Sequence, residues 1–182
     1  GPVSIINQDN SSFTFGNVSP DDFNSTVILD NQGTGRIQMA HNSTGNTFDG
    51  NITITNTGGG IFFGNAGGTS VLGTGIMLTL GAGGFTTGTL QLANVSQASA
   101  TAQTLVLTGT TTTLNISGSS FGGNIAFTAP RFTTTNTNYL GTASLTKTGT
   151  GNNQSTGGNV FTGNAIITHS GDNQLEMART LP

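Results

Sequence analysis

Any acid–base or metal chemistry in this chain must come from seven carboxylates and two histidines: Asp9, Asp21, Asp22, Asp30, Asp49, Asp172, Glu176, His41 and His169. Asp21 and Asp22, with Asp30 nearby, offer the oxygen ligands that hard cations take. The same acids suit a solvated turn after Pro20, and the Gly-Gly-x-Gly-x-Asp calcium repeat of some solenoids is absent, so no metal site is expected there. Asp172 and Glu176 lie close in sequence to His169 and Arg179. Paired carboxylates across a cleft are what glycoside hydrolysis needs, which makes this the best catalytic grouping in the chain. It equally suits polar residues covering the end of a core, and the expectation is no catalysis and no cofactor. His41 and His169 stand alone in Asn/Ser-rich stretches without the convergent ligands of a metal centre. The glycines of "TGGGIFFGNAGG" are followed neither by Gly-Lys-Ser/Thr nor by a helix, so they make no phosphate loop.

The elements that must carry these residues follow from an unusual composition. Gly, Thr, Asn and Ser supply 98 of 182 residues, and only 6% are charged. Four cations (Arg36, Arg131, Lys147 and Arg179) are too few to neutralise a phosphate backbone, which excludes a nucleic-acid partner. Thr is β-branched and the 11 Phe are too many for a flexible linker, so an ordered β protein is expected. With no cysteine there is neither a disulfide framework nor a thiolate site. No apolar run reaches the ~20 residues of a membrane-spanning helix, so no membrane insertion is expected. Gly1-Pro2 read as an expression-tag scar, and residues 3–182 as a single repeat domain cut from a longer protein, the remainder of which would be one partner.

Phe residues mark a repeat. "DDFNSTVIL" at Phe23, "NTFDGNITI" at Phe48, "SSFGGNIAF" at Phe121 and "NVFTGNAII" at Phe161 share polar-x-Phe-x-Gly/Ser-Asn/Thr before an alternating strand, and "GGFTTGTLQL" at Phe85 fits with one extra residue. Weaker copies near Ala66, Gln103 and Gly141 bring the spacing to 18–20 residues after a first gap of 25. Two strands per period are expected, because apolar residues alternate at i, i+2 in two places, as at Ile52/Ile54 and Ile61/Phe63. Gly-Asn pairs punctuate them, both residue types tolerating a left-handed backbone. The pattern predicts an all-β, right-handed parallel β-helix (β-solenoid) of roughly nine coils, with an antiparallel β-sandwich as the alternative. Phe23, Phe48, Phe85, Phe121 and Phe161 should then form an internal column, and Asn51, Asn124 and Asn164 a corner ladder. Stacking also accounts for the composition: a ladder of like charges repels itself, whereas Asn and Thr ladders can hydrogen-bond along the axis.

"LTKTGTG…GGNVFTGNAIITHSG" resembles the autotransporter-associated β-strand repeat through Leu145, Lys147, Gly149, Gly151, Gly157, Asn159, Phe161, Gly163, Ile167 and Gly171. The match covers about 30 residues, and the strand usual after the second Gly is here "NNQST", expected to be too polar for burial. The resemblance implies a parallel β-helical stalk or adhesin of a secreted or cell-surface bacterial protein, extracellular, with a surface glycan or protein as partner. The alternatives are a β-helical carbohydrate-active enzyme and an ice-binding solenoid. For the latter, Thr55, Thr128, Thr148 and Thr168, which all follow their anchors at one fixed offset, would form one outer rank.

Overall fold

The computed structural model describes residues 1–178. Every strand pairing in it is parallel, and the strands follow one another around three faces in strict rotation. The chain is a three-sided β-solenoid with seven complete turns and two strands of an eighth. Parallel pairing throughout rules out the antiparallel sandwich.

The first face holds Val3–Asn7, Val27–Asn31, Ile52–Asn56, Leu78–Phe85, Gln103–Val106, Ile125–Ala129, Ala143–Lys147 and Ala165–His169. The second begins with Phe13–Thr14, Ile37–Met39, Gly60–Phe63 and Thr89–Ala93, continues through Thr113–Ser117 and Arg131–Thr135, and ends with Asn153–Gln154 and Leu175–Glu176. The third is built from the shortest strands: Asp22–Phe23, Asn46–Phe48, Ser70–Leu72, Val95–Gln97, Ser120–Phe121, Asn138–Tyr139 and Val160–Phe161. Along each strand, side chains alternate between the core and solvent, which is why the apolar residues recur at i, i+2. The inward residues of all three faces fuse into one core running along the axis.

Three strands per turn, rather than two, correct the expected period. On the first face Val3 pairs with Val27, Val27 with Ile52 and Ile52 with Leu78, so each of these turns is longer than the spacing of the Phe motif. Only the turn from Ile125 to Ala143 is as short as expected, and the next, from Ala143 to Ala165, lengthens again. Fewer, larger coils shorten the rod: seven steps of about 4.8 Å give ~34 Å.

The third face carries the aromatic column, but with different members from those expected. Register places Phe23, Phe48, Leu72, Gln97, Phe121, Tyr139 and Phe161 in line. Phe23 and Phe48 stack at 5.0 Å, and Tyr139 and Phe161 at 4.9 Å, the ring planes of each pair nearly parallel. Leu72, Gln97 and Tyr139 take the places assigned to Ala66, Phe85, Gln103 and Gly141. Phe85 is fully buried elsewhere, in the first-face column directly after Asn56. The reason is local: the register shifts between Leu80 and Phe85, across the Gly-rich "GAGG" segment, and carries Phe85 to the far end of its strand.

Glycines that follow third-face strands have a different cause from the one expected. A Cβ on Gly141 would meet the Gly123 backbone one coil earlier, and a Cβ on Gly163 would meet Gly141. Close approach of stacked backbones excludes a side chain, and none of these glycines has a positive φ. Of the Gly-Asn pairs, those opening with Gly16, Gly45, Gly64 and Gly158 do use the left-handed region. "NNQST" also departs from expectation, because Asn153 and Ser155 point inward and are buried. The Ser155 hydroxyl meets this burial by accepting the Thr134 backbone N–H at 2.9 Å.

Candidate functional site

Polar side chains gather at two places along the corner that ends the first face. Its column reads Asn7, Asn31, Asn56 and Phe85 along one four-stranded sheet and, across a break in the strand pairing, Ala129, Lys147 and His169 along a second. At the N-terminal end the three asparagines are all buried and linked, Asn7 Nδ2 donating to Asn31 Oδ1 at 2.9 Å and Asn31 Nδ2 to Asn56 Oδ1 at 2.8 Å. Asn31 Nδ2 also reaches the carbonyls of Gly35 and Gly60, and Asn56 Nδ2 ends the ladder on Thr87 O at 2.7 Å. A parallel stack puts identical amides one coil apart, the spacing at which one N–H can meet the next C=O. This ladder was missed in the sequence. Its signal is an Asn ending each of three successive apolar strands ("SIIN", "ILDN", "ITITN"), once per coil.

At the C-terminal end the same column holds a fully buried lysine. Lys147 Nζ donates to the carbonyls of Gly149 and Asp172 and lies 3.3 Å from His169 Nε2. Three acceptors match the three hydrogens of an ammonium group. Burial pushes the Lys147 ammonium below its ordinary range, the Asp172 carboxylate opposes the shift, and Arg131 adds to it. The geometry makes the cluster a plug for the corner. The Asp172 backbone, not its carboxylate, contacts Lys147, while Glu176 sits on the second face in register with Gln154. Arg179 lies outside the described residues.

The remaining candidates are held by neighbouring segments of the stack. The Asp21 carboxylate accepts the Gly16 N–H at 2.6 Å, and the Asp21 N–H bonds Asn46 Oδ1 at 2.9 Å. Asp22 accepts the Thr47 hydroxyl at 2.7 Å from the next coil, and Asp30 accepts Gln32 Nε2 at 2.7 Å. Asp22 is on the third face and Asp30 on the first, so the three acids do not converge. Among the described residues, no group of three or more His, Cys, Asp or Glu is placed to hold a metal. The His41 ring makes a long contact, 3.5 Å, to Asn65.

Asn51 and Asn124 each bond the next coil, but through its backbone: Asn51 Oδ1 accepts the Met77 N–H and Asn124 Oδ1 the Thr142 N–H, both at 2.9 Å. Register puts Asn124, Thr142 and Asn164 in line, while Asn51 belongs to a different stretch of that corner, beside Met77. None of the three asparagines has a positive φ; among the described residues, the non-glycine positions that do are Ala40, Asn94, Asn136 and Asn173. On the outside of the first face, Thr128, Thr146 and Thr168 share a column with Val106, and the neighbouring column reads Thr104, Ala126, Ser144 and Ile166. Thr146 therefore replaces Thr148, because the coil from Ile125 to Ala143 is shorter than its neighbours.

Within the third-face column, Tyr139 is the one ionisable ring. Its hydroxyl lies 2.6 Å from Thr134 Oγ1, which donates onward to Asn159 Oδ1 at 2.9 Å. The Thr134 proton being committed, Tyr139 is the donor of the first bond. Burial pushes its pKa up to about 12, although the hydrogen bonds to Thr134 and Thr137 act the other way.

Comparison of the chain with protein-family models, with curated proteins and with solved structures finds no match.

Proposed function

We propose that this β-solenoid is a structural, adhesive module of a secreted or cell-surface bacterial protein, a stalk or adhesin passenger that extends a surface and catalyses nothing. The observation that carries this reading is where the polar side chains go. Asn31, Asn51, Asn124 and Asp22 bond the adjacent coil, and Lys147 the corner turns around it, instead of converging on a shared cleft. Such a chain directs its chemistry along its own axis and keeps three regular outer faces for contact. The partner class is a surface glycan or protein. The resemblance of residues 145–171 to the autotransporter-associated β-strand repeat, carried by Lys147, Phe161 and Gly163, points the same way.

The test measures retention of the chain on immobilised surface glycans and extracellular proteins alongside a broad glycan-hydrolysis screen. Retention without turnover is expected, unchanged by Asp172→Ala, Glu176→Ala or His169→Ala. Reproducible turnover that disappears in Glu176→Ala would replace the structural assignment with an enzymatic one.

A further inference from the structure

The hydrogen-bonded ladder of the first face is interrupted in the middle of the rod. Val3–Asn7, Val27–Asn31, Ile52–Asn56 and Leu78–Phe85 form one four-stranded sheet, and Gln103–Val106 begins a second, with no strand pairing between Leu78–Phe85 and Gln103–Val106. The other two faces run unbroken past the same level. Gly60–Phe63, Thr89–Ala93 and Thr113–Ser117 pair in turn on the second face, and Ser70–Leu72, Val95–Gln97 and Ser120–Phe121 on the third. In a parallel strand, alternate residues bond to neighbours on opposite sides. The Gln103 N–H goes to Asn124 O and the Leu107 N–H to Thr128 O, both at 2.9 Å, so the N–H groups of Thr104 and Val106 are directed back across the gap.

A side chain closes the start of this gap in place of backbone. Gln103 is fully buried; its Oε1 accepts the Leu78 N–H and its Nε2 donates to Ile76 O, both at 2.8 Å. It opens an inward column that Ile125 and Ala143 continue, so an amide stands where the following coils place apolar groups. At the far end of the gap the Thr108 N–H reaches Phe85 O at 3.0 Å. Between the two lie residues 81–84, where register with the preceding coil is also lost. A Cβ on Gly81 or Gly83 would meet the Thr55 side chain, so this bulge leans on the preceding coil and does not bridge the gap. Behind it the core is continuous, with Leu78 and Leu105 both buried.

We infer that this gap is a flexing seam. The coils before it and the coils after it move as two blocks, opening and closing on the first face about the unbroken second and third faces, with Gln103 as the latch. Ladders of backbone bonds hold the hinge on two faces, whereas a single side-chain amide holds the start of the seam. Local opening falls where backbone hydrogen bonds are few and solvent-exposed, and the outward side chains of Thr104 and Val106 are exposed. Such a seam follows from the strand pairing whether or not the module serves as a surface stalk.

Two measurements test it on the wild-type backbone. Amide exchange followed by NMR should show Thr104 and Val106 exchanging on the order of tenfold or more faster than Ala126 and Thr128, their register partners, whose N–H groups lie within the paired ladder. Spin labels at Ile28→Cys/Ser144→Cys on the outside of the first face, and at Thr47→Cys/Val160→Cys on the outside of the third, span the same coils and cross the level of the seam. Double electron–electron resonance should give a broad distance distribution for the first pair and a narrow one for the second. Gln103→Leu removes both latch bonds and should broaden the first distribution further while leaving the second unchanged; if that variant does not fold, the two wild-type readings decide. Equal protection of Thr104, Val106, Ala126 and Thr128, equal widths for the two label pairs, or a first pair that does not respond to a folded Gln103→Leu would overturn the proposal.

Discussion

Replacing Asn31 tests how much the buried amide ladder holds the first coils together. Asn31 is fully buried, and its two amide hydrogens are shared among Asn56 Oδ1, Gly35 O and Gly60 O at 2.8 to 3.1 Å. Its Oδ1 accepts from Asn7 at 2.9 Å. Leucine keeps the branching at Cγ but is bulkier, so Asn31→Leu removes the bonds, opens no cavity and adds some crowding to the column. A typical hydrogen bond contributes about 1 kcal/mol net, and a buried polar group left without a partner costs about 1–3 kcal/mol. Asn7 Nδ2 retains Ser11 O at 3.2 Å, and Gly35 and Gly60 are at corners. Asn56 Oδ1, by contrast, loses the side-chain donor that bonds it. These terms together predict a loss of roughly 3–5 kcal/mol. Urea denaturation followed by far-UV circular dichroism reads the loss as a lower midpoint, with Thr104→Ala on the exposed first face as the control, expected within about 0.5 kcal/mol of wild type. If Asn31→Leu and Thr104→Ala have the same midpoint, the ladder contributes nothing and the reasoning fails.

Phe121→Ala should cost about 3–5 kcal/mol, because the ring is fully buried against Phe127 and Tyr139, and calorimetry should show it as a large fall in Tm. Tyr139 predicts an alkaline transition: its pKa is raised to about 12, so its contribution is fully present below pH ~10 and is lost as pH rises through 12. At about 1.36 kcal/mol per pH unit this reaches roughly 3 kcal/mol, and Tyr139→Phe should flatten that part of the stability–pH curve; an unchanged curve would contradict the assignment. Gly141→Ala should destabilise by more than ~1 kcal/mol although φ there is not left-handed, because the added methyl meets the Gly123 backbone, and denaturation midpoints decide it.

The β-solenoid class was legible because two signals agree: alternating apolar pairs and a recurring Phe-x-Gly-Asn corner. Phe23, Phe48, Phe121 and Phe161 all fall in the third-face column, and Asn51 and Asn124 bond across coils. The coil length was obscured because the third-face strands are very short, and alternation cannot register in so short a run. Leu72, Gln97 and Tyr139 fill the column without being Phe, so a search keyed to Phe passes over them. Phe85 misled for the opposite reason, matching the motif while a Gly-rich bulge moves it to another column. The corner glycines were right in type and incomplete in cause, since tight stacking of successive coils excludes a Cβ at Gly141 and Gly163 with no left-handed backbone. Asn136 sits at φ 49°, a left-handed conformation that its residue type alone does not announce. Lys147 lies within the repeat motif, but its role as a plug is not legible there, because its partners on Gly149, Asp172 and His169 come together only once the coils are stacked.

The central claim is that the chain rises as a three-faced parallel stack, and cysteine pairs read its register directly because the native sequence contains no cysteine. Thr53 and Thr79 are register partners on the outside of the first face, where neighbouring strands lie about 4.8 Å apart, within the Cα separation a disulfide accepts. Val71, which stands to Ala66 as Thr53 stands to Phe48, is where the shorter coil would place the partner of Thr53, and in the three-faced stack it lies on the third face instead. Mild oxidation of Thr53→Cys/Thr79→Cys, followed by non-reducing electrophoresis and peptide mapping, should give a quantitative intramolecular disulfide, while Thr53→Cys/Val71→Cys should stay reduced. Disulfide formation in the second pair and not in the first would contradict the three-faced stack.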